Sequence, residues 1–310
     1  MSYANIARHY HHETVRVQGI NDDIQQSIRK GLDVTKAVNY RMGRATPQLS
    51  ANASVSREER SSSASMKRPL SDTNAALPPT KRFSSASLAN TNRVHRRIVL
   101  CDYGKPIYKA SSPKALLSAL EGCVEGHEML HKAGLLHRDI SINNLIVNKD
   151  DRNPSWRAFL IDLDLAIREQ REGASGEKGK TGTRAFMAIG ALIGEQHSFM
   201  HDLESFFWVI LWLCIHYNGP GQSRVVPGFD KWNTAPLNEL ATLKLGTVTN
   251  VSFFTKVITE NFTAYYMPMV PVMSKLRKAV FPRGQPWAQE DESLYSQFRE
   301  ILRSGREDLN

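Results

Sequence analysis

Along the first 40 residues apolar and polar positions are mixed, with Ile24, Ile28 and Leu32 at a four-residue spacing that predicts a short amphipathic helix. From Arg41 to about Asn92 the chain turns to Ser, Ala, Asn and Pro with scattered Arg and Lys. Such a stretch buries too little apolar surface to offset the entropy of ordering and is expected to be disordered. Order resumes at Ile98-Val99-Leu100-Cys101, a strand pattern that runs into the turn signal Asp102-Tyr103-Gly104. Ser112-Pro113 then supplies a capping residue and a proline at a helix start. Leu116, Leu120 and Val124 repeat every fourth residue, Leu117 and Met129 widen the stripe, and Gly134 stands where a long helix would stop.

Beyond that helix, Leu145-Ile146-Val147 and Phe159-Leu160-Ile161 read as short strands joined by a turn-rich connection from Asn148 to Arg157, a hairpin pattern. The run Phe206 to Ile215 (FFWVILWLCI) is apolar throughout. It falls short of the roughly 20 residues needed to cross a bilayer and predicts a buried helix. Two further helical stripes follow, Met273, Leu276, Val280 and Phe281 on one and Leu294, Phe298 and Leu302 on the other.

Composition changes this picture only modestly. With 41% hydrophobic residues in 310, the chain can bury a core as one large domain or two small ones. The net charge of +9 permits attraction to phosphate, yet no basic patch interleaves with aromatics as a nucleic-acid platform would, so a nucleic-acid partner is not expected. The basic pairs Lys67-Arg68 and Lys81-Arg82 stand at roughly bipartite nuclear-signal spacing, which solvated linkers also show. Cys101, Cys123 and Cys214 are odd in number, far apart and set among apolar residues, which predicts buried thiols in a reducing compartment. With no apolar core for a secretory signal at the N-terminus, an intracellular, cytoplasmic or nuclear location without membrane association is expected. His9, His11 and His12 lack the companions of a complete metal site and are expected to be surface or packing residues.

Between the long helix and the first hairpin strand lies His137-Arg138-Asp139-Ile140-Ser141-Ile142-Asn143-Asn144, an ungapped H-R-D-x-x-x-x-N. Phosphoryl transfer needs a carboxylate that orients the attacking hydroxyl and accepts its proton, and a neutral oxygen a few residues on for magnesium. Asp139 and Asn144 fit those roles. Asp162 ends the second apolar strand, where a D-F-G motif places its metal-binding Asp, while Asp164 replaces the Gly and is either a further metal ligand or a hydrogen-bonded structural residue. The segment Gly182-Thr183-Arg184-Ala185-Phe186-Met187-Ala188 follows G-T-x-x-[YF]-x-A, with Ile189-Gly190 in place of the expected Pro-Glu. Asp202 opens the apolar run DLESFFWVILWL.

In RIVLCDYGKPIYKA, LLHRDISINNLIV, FLIDLDLAI, GKTGTRAFMA and HDLESFFWVILW the chain resembles the fungal-type protein kinase domain family. The resemblance implies an α+β, protein-kinase-like fold with a nearly complete, mainly helical C-lobe and a truncated or incomplete N-lobe. Residues 1–40 would be the remnant of that N-lobe, 41–92 a disordered Ser-rich basic insert, 93–303 the hinge and C-lobe, and 304–310 a tail. It also implies ATP and Mg as cofactors and a protein substrate. Asp139, Arg138 and Asn144 would be catalytic, and Asp102, Tyr103 and Asp162 would contact the nucleotide. Asn144, Asp162 and Asp164 would hold metal, with Thr181 and Thr183 as regulatory phosphoacceptors that Arg138 could pair with. Asp202 would support the catalytic loop from the central helix.

Neither a G-x-G-x-x-G loop nor a V-A-I-K-type strand lysine precedes Asp102-Tyr103-Gly104, and on this reading the phosphate-covering strands would lie upstream of Met1. The expectation is therefore a phosphotransferase of weak or no activity, with a pseudokinase acting as a binding module as the alternative. Small-molecule kinases of the aminoglycoside or choline type share an H-x-D-x-x-x-x-N loop and form a second alternative, although they usually carry Gly where this chain has Arg138. Ser141 stands where serine/threonine kinases usually carry Lys, which leaves the acceptor hydroxyl open.

Overall fold

A computed structural model describes residues 4–28, 30, 32, 94–169 and 182–309. The expectations placed on 41–92, on Lys67-Arg68, on Lys81-Arg82 and on Thr181 lie outside the described residues. The chain divides into a unit of residues 12–97 and a larger one of residues 1–11 with 98–310.

β1 (His9–Thr14) forms a two-stranded ladder with β4 (Arg96–Leu100), and between them in sequence β2 (Arg16–Val17) and β3 (Ile20–Asn21) make a small antiparallel hairpin. Its turn residues Gln18 and Gly19 both have positive φ, the backbone that a two-residue hairpin loop demands. The amphipathic helix expected through Leu32 is reduced to one turn, Ile24–Ile28, which starts on Asp23, whose carboxylate accepts the Gln26 N–H at 2.6 Å. Leu32 is 75% exposed, so the apolar stripe lacks the packing surface that normally sustains so short a helix.

The larger unit carries the helical body. β5 (Lys105–Pro106) leads to α1 (Pro113–Lys132), followed by β6 (Leu135–Leu136), β7 (Leu145–Val147), β8 (Ala158–Leu160) and β9 (Ile167–Arg168). Then come α2 (Ile189–Ile193), α3 (Phe199–His216), α4 (Pro227–Asp230), α5 (Leu237–Thr249), α6 (Val251–Asn261), α7 (Val270–Val280) and α8 (Ser293–Asp308). Small sheets beside a helical body make the fold α+β and kinase-like.

Ser112 caps α1 by accepting the Ala115 N–H on its hydroxyl at 3.0 Å, Pro113 takes the first turn, and Gly134 at φ +71° reverses the chain after it. β7 pairs antiparallel with both β5 and β8, with Leu145 opposite Leu160 and Val147 opposite Ala158. Residues 5–7 extend that sheet: Leu160 donates its N–H to Asn5 and accepts that of Ala7, at 3.0 and 2.9 Å.

α3 is apolar on nearly every face and almost wholly buried, which places it at the centre of the core. Ser198 and His201 close a capping box at its start. Each of Phe206, Phe207, Trp208, Ile210 and Leu213, removed from water, contributes on the order of 1.5–3 kcal/mol. α1, α7 and α8 pack around it, and the stripes read from Met273 and Leu294 face the core on α7 and α8. α8 continues to Asp308. Cys123 and Cys214 are buried as expected, whereas Cys101 is exposed, because it follows an edge strand with no apolar layer over it. Among the described residues no helix is long and apolar enough to cross a membrane.

Candidate active site

β6 pairs with β9, Leu136 opposite Ile167, and the segment between β6 and β7 is the H-R-D loop. His137 is buried. Its Nδ1 accepts the Asp139 N–H at 3.3 Å while Nε2 donates to the carbonyl of Ile161 at 3.1 Å, an arrangement that fits a neutral ring. Burial pushes its pKa down, against the opposing charge of Asp202. His137 thus ties the loop to the end of β8.

Arg138 has φ +69°, a left-handed conformation that costs a residue with a side chain roughly 1–3 kcal/mol. The backbone is held there by Asp202 at the start of α3, which accepts the N–H groups of His137 at 2.9 Å and Arg138 at 3.1 Å. Nε2 of His127 and Nε2 of His197 reach the same carboxylate at 2.9 and 2.8 Å, and the Tyr295 hydroxyl lies 2.8 Å from Nδ1 of His127. Burial alone would raise the pKa of Asp202, yet the histidines and their hydrogen bonds hold it well below the ordinary carboxylate range. The fixed carboxylate shapes the loop without facing solvent.

The loop presents Asp139. Its Oδ2 accepts from Nδ2 of Asn144 at 3.1 Å, and its Oδ1 accepts the backbone N–H and the hydroxyl of Thr183, at 2.8 and 2.9 Å. Nδ2 of Asn144 also donates to the carbonyl of Asp139 at 2.9 Å. With that nitrogen committed, the amide oxygen of Asn144 is the atom left for a cation. The carbonyl of Asn144 accepts the Ile161 N–H at 3.0 Å, and this bond sets Asp162 beside the Asn144 end of β7. Asp162 is exposed, has φ +63°, and accepts the Asp164 N–H at 3.4 Å. Two carboxylates and an amide are hard oxygen donors of the kind magnesium takes. No group of three His, Cys, Asp or Glu side chains that could hold a metal occurs among the described residues, so any cation here depends on the amide and on ligand oxygens.

Other residues singled out from the sequence sit differently. The Asp102 side chain is fully buried and paired with Arg8, which reaches Oδ1 at 2.6 Å through its guanidinium and Oδ2 at 2.7 Å through its backbone N–H. The side-chain and backbone bonds from Arg8 hold the pKa of Asp102 down against its burial. Tyr103 is exposed, but its N–H donates to Ser155 and its carbonyl accepts from Asn153, both at 3.0 Å. The hydroxyl of Thr183 points to Asp139, so a phosphate there would set its charge against a carboxylate. Ser141 is buried.

Sequence reasoning missed His127, His197 and Tyr295, whose signal is diffuse because they come from distant helices. It also missed Glu204, although a second acid inside the run DLESFFWVILW, two residues after Asp202, was a visible anomaly.

The H-R-D loop, the strand-terminal acid and the buried aspartate of a central apolar helix define a protein-kinase-like site. The chain matches the family model described as fungal protein kinase over residues 1–214, more than half its length, and it belongs to that family. It is also similar to rhodopsin kinase GRK1 of Rattus norvegicus, 33% identical over 101 residues that make up 33% of this chain and 17% of the relative. The human rhodopsin kinase GRK1 is 32% identical over 112 residues, 36% of this chain and 18% of the relative. The matched region thus covers less than a fifth of either relative.

Proposed function

We propose that this chain is a phosphotransferase domain that moves the terminal phosphate of ATP to a hydroxyl of a protein, with weak or no turnover by these 310 residues alone. The observation that carries this reading is the contact of Asp139 with Asn144 and Thr183 at the mouth of the H-R-D loop. Oδ1 of Asp139 accepts two bonds from Thr183, which use both of its lone-pair directions, whereas Oδ2 keeps one free. Oδ2, with one bond from Asn144, is the atom that would orient an acceptor hydroxyl and take its proton. Asn144 and Asp162 would hold magnesium, and the bound metal supplies neutralisation of charge on the phosphoryl oxygens. The two hydrogen bonds from Thr183 fix the orientation of the Asp139 carboxylate. His137 and Asp202 keep Arg138 and Asp139 in place, and such positioning is worth orders of magnitude in rate.

Weak turnover is expected of these 310 residues taken by themselves, since they contain neither a Gly-rich loop nor a V-A-I-K-type strand lysine to hold the phosphates. The same observation favours, as a second reading, a pseudokinase that binds partners through this surface. Thermal shift of the chain with ATP, with and without magnesium, separates these readings. A phosphotransferase site raises the melting temperature in a magnesium-dependent way by mass action. Radiolabelled phosphate transfer that disappears in Asp139→Asn supports the first reading, and no shift at millimolar Mg-ATP supports the second.

A further inference from the structure

The sequence lacks the Pro-Glu that should follow Ala188, and with it the usual means of fastening the segment before α2. We infer that Glu204 and Lys244 are positioning residues that replace this fastening, clamping the segment Thr183–Ile189 from α3 and α5 while Thr183 holds Asp139. The inference rests on the phosphotransferase reading above for its purpose, and on geometry for its substance.

Glu204 is fully buried in the apolar interior of α3. Its Oε1 accepts the Ile189 N–H at 2.7 Å and the indole N–H of Trp208 at 2.9 Å. Lys244 is also fully buried and donates from Nζ to the carbonyl of Met187 at 2.6 Å. The backbone groups on either side of Ala188 are therefore bonded to two ionisable side chains from two different helices. Lys244 lies over the ring of Trp208, 4.6 Å from its centroid, and 5.4 Å from that of Trp232. Trp208 links the pair, its N–H edge on the acid and its face on the base. Ala185 and Phe186 are buried between the two fastened ends, with Phe186 edge-on to Trp212.

Burying two ionisable groups is costly, and apolar residues of similar volume often hold a core equally well. Burial pushes the Glu204 carboxyl up and the Lys244 ammonium down. Two indole faces and a carbonyl favour the charged lysine. What the pair does that a Leu and a Met could not is bond the backbone at Met187 and Ile189, and this fixes where the segment leaves the catalytic loop.

Hydrogen exchange of the full chain tests the clamp without turnover. In Lys244→Met, amides of residues 183–190 are expected to exchange at least about tenfold faster while those of α1 and α3 keep their protection. Glu204→Gln, which still offers an oxygen to both N–H groups, is expected to keep the segment protected, and Glu204→Ala to release it. Unchanged exchange of residues 183–190 in both Lys244→Met and Glu204→Ala overturns the clamp, as does equal acceleration in α1 and α3. Where phosphate transfer is measurable, Lys244→Met is expected to raise KM for the protein acceptor about tenfold with KM for ATP unchanged, a split that general loosening does not produce. A clamp that passes the exchange test in a chain that transfers no phosphate overturns the function alone.

Discussion

Thr183 reaches Oδ1 of Asp139 twice, through its backbone N–H at 2.8 Å and its hydroxyl at 2.9 Å. A residue from the segment after the H-R-D loop is thereby fixed on the proposed base. Gly182 makes the approach possible: it has φ +111°, and a Cβ there would come within 2.8 Å of the Arg138 carbonyl. Thr183→Val keeps the backbone bond and the side-chain shape and deletes the hydroxyl. A hydrogen bond to a charged group contributes about 1.5–3 kcal/mol, so phosphate transfer is expected to fall by roughly 10- to 100-fold. The rate of γ-phosphate transfer, with Asp139→Asn as the blank, is the measurement. A wild-type rate in Thr183→Val would show that this contact is not used.

Asp202 is the structural counterpart. One buried carboxylate accepts from two backbone amides and faces two histidines, so removing it strands several donors at once. Asp202→Ala is expected to cost about 3–5 kcal/mol of folding stability, the loss typical when one partner of a buried charged network disappears. Asp202→Asn, which keeps one acceptor oxygen, should lose less. Urea unfolding of the three proteins gives the order directly, and a variant equal to wild type would mean that solvent satisfies the loop amides.

This contrast explains what was legible in the sequence. Asp139, Asn144, Asp162 and Asp202 could be read because each lies within a short motif beside a strong apolar pattern, and the long α1 and the central α3 announced themselves by capping residues and periodicity. His127, Tyr295 and His197 could not, because they meet Asp202 only after helices far apart in sequence pack together. The pairing of Asp102 was illegible for a related reason: from sequence it is a polar tip next to a strand, and only the fold brings Arg8 onto it. The short stripe at Ile24 and Leu32 failed because periodicity signals a helix only where a surface exists to bury it.

His201 gives a dependence on pH. Burial, with the neighbouring His197, lowers its pKa from 6.5 to about 4, while the Asp202 charge opposes this. Glu195 at 3.5 Å is the acidic group nearest its Nε2, and Trp287 packs on the ring. Between pH 6.5 and 4 the unfolded chain holds a proton on this residue that the folded chain refuses, so stability is complete above that window and falls as pH drops through it. The loss from this residue is on the order of 3 kcal/mol across the window. His137, also pushed down by burial, acts in the same direction. Asp202, held well below 3.8, stays charged meanwhile. His201→Gln retains an acceptor for the Ser198 N–H and should flatten the fall. Urea midpoints at pH 7.5, 6 and 5 would show this, and an unchanged slope would assign the acid loss to other groups.

Two glycines in helices make opposite predictions from one substitution. Alanine is preferred to glycine inside a free helix by about 1 kcal/mol. Gly246 in α5 has open space where a Cβ would go, so Gly246→Ala is expected to stabilise the chain by up to about that amount. Gly126 in α1 is different, because a Cβ there would sit 2.4 Å from the carbonyl oxygen of Asn5. That oxygen accepts the Leu160 N–H, so residues 5–7 cannot withdraw without giving up their place beside β8. Gly126→Ala should therefore destabilise the chain despite its better helix propensity, and should speed exchange at the amides of Ala7 and Leu160. β8 carries the backbone on to Asp162, so the same variant should also weaken any magnesium-dependent nucleotide shift. If Gly126→Ala raised the melting temperature as Gly246→Ala does, residues 5–7 would not be anchored against α1 and β8.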